Sequence, residues 1–200
     1  GQWIPVARDS EGHDLVVQAI SVSGNSAVVR FSGGIEARYG TASSGSLASP
    51  DPNAPLVVNI KRLGLQNNGL AFYPADPVTG AILLNGNTLL PGDAGYLQGA
   101  LQLASQDNLL LSASQLPGYG SETTFTNLPL DPLSNYALLL LRNNDPNDLS
   151  SSFSAANPGG SISMQTFAAP DRGILFGVED LNPSLATSDA DFNDLSVTLS

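Results

Sequence analysis

Over most of this chain apolar residues either alternate with polar ones or run in short unbroken blocks, and turn-forming residues separate the blocks. "DLVVQAISV" (14–22) and "SAVVRFSG" (26–33) are rich in β-branched residues and flank "SGN" (23–25), so the pattern predicts a β-hairpin. "IEARYG" (35–40) reads as a further strand, and the small, polar, Pro-containing "TASSGSLASPDPNAP" (41–55) as a loop or linker. "LVVNIKRLGL" (56–65) resumes the strand pattern, and "GLAFYPADPVTGAI" (69–82) reads as strand, turn, strand. "YALLLL" (136–141) falls far short of the roughly 18 apolar residues a membrane span needs and reads as a buried strand. "NLLLSAS", "TTFTNL", "SISMQTFA", "GILFGVED" and the closing "LSVTLS" complete a series of short strands divided by Pro, Gly or Asn.

One stretch has a helical period. In "PGDAGYLQGALQLAS" (91–105), Tyr96, Leu97, Ala100, Leu101 and Ala104 recur at helical spacing, with Asp93 as the expected N-cap. Gly95 and Gly99 weaken that helix. Strands spaced in this way, without alternating helices, predict an all-β fold: an antiparallel, jelly-roll-like β-sandwich with one or two short helices. The 200 residues fit a single domain over 1–200, and no repeat of fixed period divides them.

Composition narrows the functional classes. With 42% apolar and 12% charged residues the chain is expected to fold, despite a net charge of −11. Twenty Gly and fourteen Pro favour turns and short strands over long helices. The absence of Cys excludes disulfides and thiolate metal sites, and is common in bacterial exported proteins. Seven basic residues and a pI near 4.1 offer no positive stripe for nucleic acid and little attraction to anionic membranes.

Charge is concentrated near the end of the chain. "VEDLNPSLATSDADFND" (178–194) carries Glu179, Asp180, Asp189, Asp191 and Asp194, with no Lys or Arg among them. Asp189, Asp191 and Asn193 follow a D-x-D-x-N spacing, and Asp194 comes next. Oxygen-bearing side chains at alternate positions of a tight loop can converge on a hard cation such as Ca²⁺, which takes about 6–8 oxygen ligands. Glu179 and Asp180 can add ligands from the neighbouring strand end. Zn²⁺ fits poorly, since there is no Cys and His13 is the single histidine. The motif is not an EF-hand loop: Asp194 stands where Gly is required, Ser200 where Glu is, and the flanks read as strands. The alternative is a solvated acidic loop whose Asp and Asn residues form turns. Phe192 inside the motif, with Leu195, Val197 and Leu199 in period two after it, ties the carboxylates to a strand with an apolar face. Clustered charge held there repels itself, which favours a bound ion.

Other chemistry is weakly signalled. A Ser-His-Asp triad through His13 lacks a G-x-S-x-G elbow. A glycosidase pair, Glu179 as acid and Asp191 as nucleophile, lacks the aromatic walls such clefts use, because aromatics make up 6% of the chain. Tyr73, Tyr96, Tyr119 and Tyr136 read as core or strand-face residues and not as a sugar platform, with a loop tip in "LPGYGSE" as the alternative for Tyr119; Asp76 and Asp93 are expected in turn or cap positions. The Asp-Pro pairs at 51, 76, 131 and 145 read as turn dipeptides.

"GILFGVEDLNPSLATSDADFNDLSVTLS" resembles the C-terminal signature of the bacterial domain-of-unknown-function family 4114: a Gly-aromatic-Gly strand, Glu-Asp-Leu, Asp-x-Asp-aromatic-Asn-Asp and a terminal strand. "LAFYPADPVTGAI" (70–82), "LLPGDAGYLQGAL" (89–101) and "SFSAANPGG" (152–160) are similar to the same family, so the resemblance spans about residues 56–199 and leaves 1–55 outside it. "NPSLATS" (182–188) is longer and poorer in Gly than the family pattern. The resemblance implies a secreted or surface protein of bacteria, of the kind found beside calcium-binding repeats or in large adhesins. The expectation is a non-enzymatic calcium-binding module, with Asp189, Asp191, Asn193, Asp194, Glu179 and Asp180 as ligands and a cell-surface glycan or peptide as partner. The alternative is a structural spacer or assembly module in which calcium only stabilises the fold, and a hydrolase is a distant third.

Overall fold

The computed structural model describes the backbone of residues 4–8, 14–23, 26–33, 40–41, 56–169, 173–181 and 192–199, and side chains within 56–165, 176–181 and 192–198. The chain divides into two compact units, 1–39 and 40–200. The first is an antiparallel three-stranded sheet of β1 (Ile4–Arg8), β2 (Asp14–Ser23) and β3 (Ser26–Gly33), in that order. β2 and β3 form the hairpin expected from their β-branched residues and the turn-forming SGN between them, closed by the Ser23–Ser26 pair, with a register irregularity between Ala19 and Ser21.

The second unit runs β4 (Gly40–Thr41), β5 (Val58–Arg62), β6 (Gly69–Pro74), β7 (Ile82–Leu84), β8 (Asn87–Leu89), α1 (Tyr96–Gln106), β9 (Leu110–Leu111), β10 (Glu122–Phe125), β11 (Tyr136–Leu141), β12 (Leu149–Ser151), β13 (Met164–Ala169), β14 (Gly173–Val178) and β15 (Leu195–Leu199). It contains a six-stranded sheet, β10-β5-β15-β14-β13-β4, a four-stranded sheet, β12-β11-β6-β9, and the β7-β8 hairpin. The described pairings are antiparallel throughout. The protein is therefore mostly strand, as the spacing of apolar blocks predicts, with one α-helix among the described residues. No described helix is long and apolar enough to cross a membrane.

Burial follows the apolar pattern in the central strands β5, β6 and β11. In β5, Val58, Ile60 and Arg62 are buried while Asn59 and Lys61 between them are half-buried, which is the period-two signature of a strand with one face on the core. β11 is buried at every position, and its neighbour β6 at all but Pro74. A strand covered on both faces needs apolar residues at consecutive positions, and "YALLLL" supplies them. α1 packs on β6. Ala100 and Ala104 face the core from the helix together with Tyr96. Gly99 is there because the helix lies close to the hairpin: a Cβ would sit 3.1 Å from Leu84, 3.2 Å from Ile82 and 3.4 Å from Leu89. The Tyr96 hydroxyl donates to the Gly80 carbonyl at 2.6 Å, and the Tyr73 hydroxyl meets those of Ser151 at 2.6 Å and Tyr96 at 3.3 Å.

The structure departs from the sequence pattern at the start of the helix and in two strands. Asp93 is not the helix N-cap. Gly95 holds that position with φ 85°, a left-handed conformation that Gly adopts without steric cost. The Asp93 carboxylate instead accepts the Leu90 N–H at 2.7 Å, closing the turn that precedes the helix. β8 and the serine-rich β12 were not expected as strands, because neither carries an apolar alternation. The strand expected over 35–40 and the linker over 41–55 lie outside the described residues, apart from Gly40 and Thr41 in β4.

Candidate metal centre

Strand register gathers the acidic residues. Val178, the last residue of β14, pairs with Leu195, the first of β15, so Glu179 and Asp180 leave the sheet at the end where Asp194 enters it. Leu195 also pairs with Arg62, the last residue of β5, which brings Leu63 and Gly64 to the same end. The Asp194 carbonyl accepts the N–H groups of Leu63 and Gly64, both at 2.8 Å. The Asp180 N–H donates to Asp194 Oδ2 at 2.9 Å, and the Glu179 N–H to the Ser163 carbonyl at 2.9 Å. Glu179, Asp180 and Asp194 each place a carboxylate oxygen within 4.8 Å of the others. Such a group of three can hold a metal ion.

This is not a solvated surface cluster. Glu179 is 0% exposed and Asp180 4%. Removing carboxylates from water disfavours their charged forms, and placing them side by side adds repulsion. Burial pushes the Asp180 carboxyl above its ordinary value of 3.8. Hydrogen bonds with the Gln66 backbone, the Asn68 amide and Asp194, and the charge of Arg62, act in the opposite sense without cancelling it.

A layer of residues from distant segments holds the trio. The Asn68 amide donates to Asp180 Oδ2 at 3.2 Å, and its oxygen accepts the Asn143 N–H at 3.0 Å. Arg62 folds back over the turn after β5, donating to the Gly64 carbonyl at 3.0 Å and the Gln66 carbonyl at 2.5 Å. Arg142, at the end of β11, donates through Nε to the Asp180 carbonyl at 3.1 Å, through Nη1 to Ser150 at 2.8 Å and through Nη2 to Ser163 at 2.9 Å. Its Nη1 also meets Asp148, a half-exposed partner, at 3.2 Å. Gly64 leaves the space the carboxylates occupy: a Cβ there would lie 2.4 Å from Asp180 Oδ2 and 2.8 Å from the Asp194 Cβ.

Of the six residues expected to bind the ion, the structure brings together Glu179, Asp180 and Asp194. Asn193 immediately precedes Asp194 and is half-buried. Just before it, Phe192 has φ 55°, a left-handed conformation unusual for an aromatic residue. Asp189 and Asp191 lie outside the described residues, as does His13. Tyr73, Tyr96 and Tyr136 are buried as expected, whereas Tyr119 is 65% exposed and is not a core residue: its Gly-flanked segment leaves the ring in solvent. Asp76, Asp131 and Asp145 each accept hydrogen bonds from the residues that follow them, so three of the four Asp-Pro pairs are turn dipeptides; Asp51 lies outside the described residues. The donors at Asp76 and Asp131 hold both carboxyls below the ordinary 3.8.

Arg62, Gly64, Asn68 and Arg142 were not anticipated. A signal for the arginines was present: each ends or follows an apolar strand, in a chain with seven basic residues in all. A cation in that setting needs buried partners. Nothing local marks Gly64 or Asn68. No family model, curated protein or solved structure matches the chain.

Proposed function

We propose that the chain is a calcium-binding module of an exported bacterial protein, in which the ion ties together the ends of β14 and β15. The observation that carries this reading is the convergence of Glu179, Asp180 and Asp194, two of them buried, within 4.8 Å. Three oxygens within 4.8 Å of one another can all reach one Ca²⁺ ion at ligand distances of about 2.4 Å. Mg²⁺ needs about 2.0–2.1 Å and a stricter octahedron. All three donors are hard carboxylates, the ligand type that calcium selects. Asn193, Asp189 and Asp191 are the further ligands in this reading, supplied by the segment that leads into Asp194. The resemblance to family 4114 and the Cys-free, acidic composition support the exported setting.

The depth of the site favours a stabilising ion over one that touches a ligand directly. A cation held by Glu179 at 0% exposure is shielded on that side from a glycan hydroxyl or a peptide carboxylate. The function follows as a calcium-stiffened spacer or assembly module, with glycan or peptide binding as the second use, through loops that the ion makes rigid. The larger sheets are taken as the two leaves of a jelly-roll-like sandwich. The same depth tells against glycoside hydrolysis, where the general acid has to reach the scissile bond.

Thermal melts in calcium and in chelator test the proposal. At calcium about 100-fold above Kd the ion adds about 2.7 kcal/mol. For a domain of this size that raises Tm by roughly 5–11 °C. Asp191→Ala is expected to lose most of the increment. An identical Tm in calcium and chelator removes the metal from the account.

A further inference from the structure

We infer that Asn68, in the turn between β5 and β6, is a positioning residue for the cation site, fixing the Asp180 carboxylate in its ion-binding orientation. The inference rests on the calcium reading above and extends it to a residue from a different part of the chain. Asn68 is 2% exposed. Its Nδ2 donates to Asp180 Oδ2 at 3.2 Å, and its Oδ1 accepts the Asn143 N–H at 3.0 Å. With both ends of the amide engaged, the side chain cannot rotate without breaking a buried hydrogen bond, so its direction toward Asp180 is set.

The Asn143 end is itself anchored. Asn143 has φ 52°, a left-handed conformation, and directly follows Arg142, whose Nε donates to the Asp180 carbonyl. Asp180 is thus gripped at its backbone oxygen by Arg142 and at its side chain by Asn68, with both grips meeting at residues 142–143. Gly64 leaves room for that orientation, since a Cβ there would intrude on Oδ2.

A neutral amide is the fitting partner for this task. It orients a carboxylate by a hydrogen bond while leaving the negative charge for the cation, whereas Lys or Arg at the same place would compete with the ion. Partners of this kind around metal ligands commonly contribute about 10–100-fold in affinity.

The test is calcium titration by calorimetry on the full 1–200 chain, in wild type, Asn68→Ala and Asn68→Ser, with melts of each in chelator. The expected result is a Kd weakened about 10–100-fold in both variants, with a Tm deficit larger in calcium than in chelator. Variants that bind within twofold of wild type overturn the positioning role while leaving the calcium site standing. A wild-type chain that takes up no calcium removes the site and this inference together, and the wild type alone reports that outcome. A readout free of substitution is the Asn68 side-chain amide pair in wild-type NMR spectra. The pair is expected to shift on calcium saturation, and resonances that stay in place overturn the inference even if neither variant folds.

Discussion

Gly64→Ala probes the cation site through space alone. The glycine has no left-handed φ, so Ala fits its backbone, and the entropy lost by the unfolded chain favours Ala by about 0.4–1 kcal/mol. Against that, the new methyl would stand 2.4 Å from Asp180 Oδ2, 2.8 Å from Asp194 Cβ and 3.0 Å from Asp194 Oδ1. The first atom ends a side chain but is held by Asn68, and the second is one bond from the backbone. Neither yields without moving a carboxylate. Overpacking of this kind costs about 1–3 kcal/mol, so the net loss is about 0.5–2 kcal/mol. That lowers Tm in chelator by roughly 1–8 °C. In calcium the loss is larger, because the displaced carboxylates no longer meet at one point, and Kd weakens at least about 10-fold. Paired melts in calcium and chelator, with calorimetric titration, separate the two effects. An alanine variant with wild-type Tm and wild-type calcium affinity refutes the claim that Gly64 makes room for the site.

Two further predictions concern the surroundings. Arg142→Met leaves the Ser150 and Ser163 hydroxyls and the Asp180 carbonyl without their donor, and unmet buried groups cost about 1–3 kcal/mol each. A denaturant-measured loss of roughly 2–4 kcal/mol is expected after partial relaxation, whereas Asp148→Ala, whose carboxylate is 54% exposed, costs under about 1 kcal/mol; equal losses in the two variants would contradict the assignment of Arg142 as a buried hub. Burial also pushes the Tyr96 hydroxyl up to about 12, and that of Tyr73 well above 10.0, where desolvation is joined by the neighbouring Tyr96. Both phenols keep their protons longer in the folded chain than in the unfolded one, so the stability they contribute is intact below pH 10 and is lost as pH rises through about 12. Tyrosinate absorbance and far-ultraviolet circular dichroism, followed together, should show these two tyrosines ionising only as the fold is lost, and complete ionisation near pH 10 of an intact fold would overturn their burial.

Much of the architecture could be read locally. The period-two burial of β5 follows its apolar positions up to Ile60, with Arg62 as the exception, and the unbroken apolar run of β11 matches its full burial. The helix was legible from its spacing, although its start was displaced: the left-handed turn at Gly95, and not the side chain of Asp93, begins it. β12 escaped notice because its serines are buried by hydrogen bonds, as when the Asn157 amide nitrogen donates to the Ser151 carbonyl at 2.9 Å, and hydropathy does not record that.

By itself the sequence determined the alternation that makes strands, the places where turns interrupt them, and the crowding of carboxylates between residues 178 and 194. These are short-range properties, expressed by neighbours on one strand or in one loop. Only the tertiary structure decided which carboxylates meet, that two of them are buried, and that a turn after β5 forms the back of their site. Asn68 and Asp180 are 112 positions apart, and no local pattern links them. Their contact depends on the pairing of β5, β14 and β15, which one end-to-end register sets for all three strands at once.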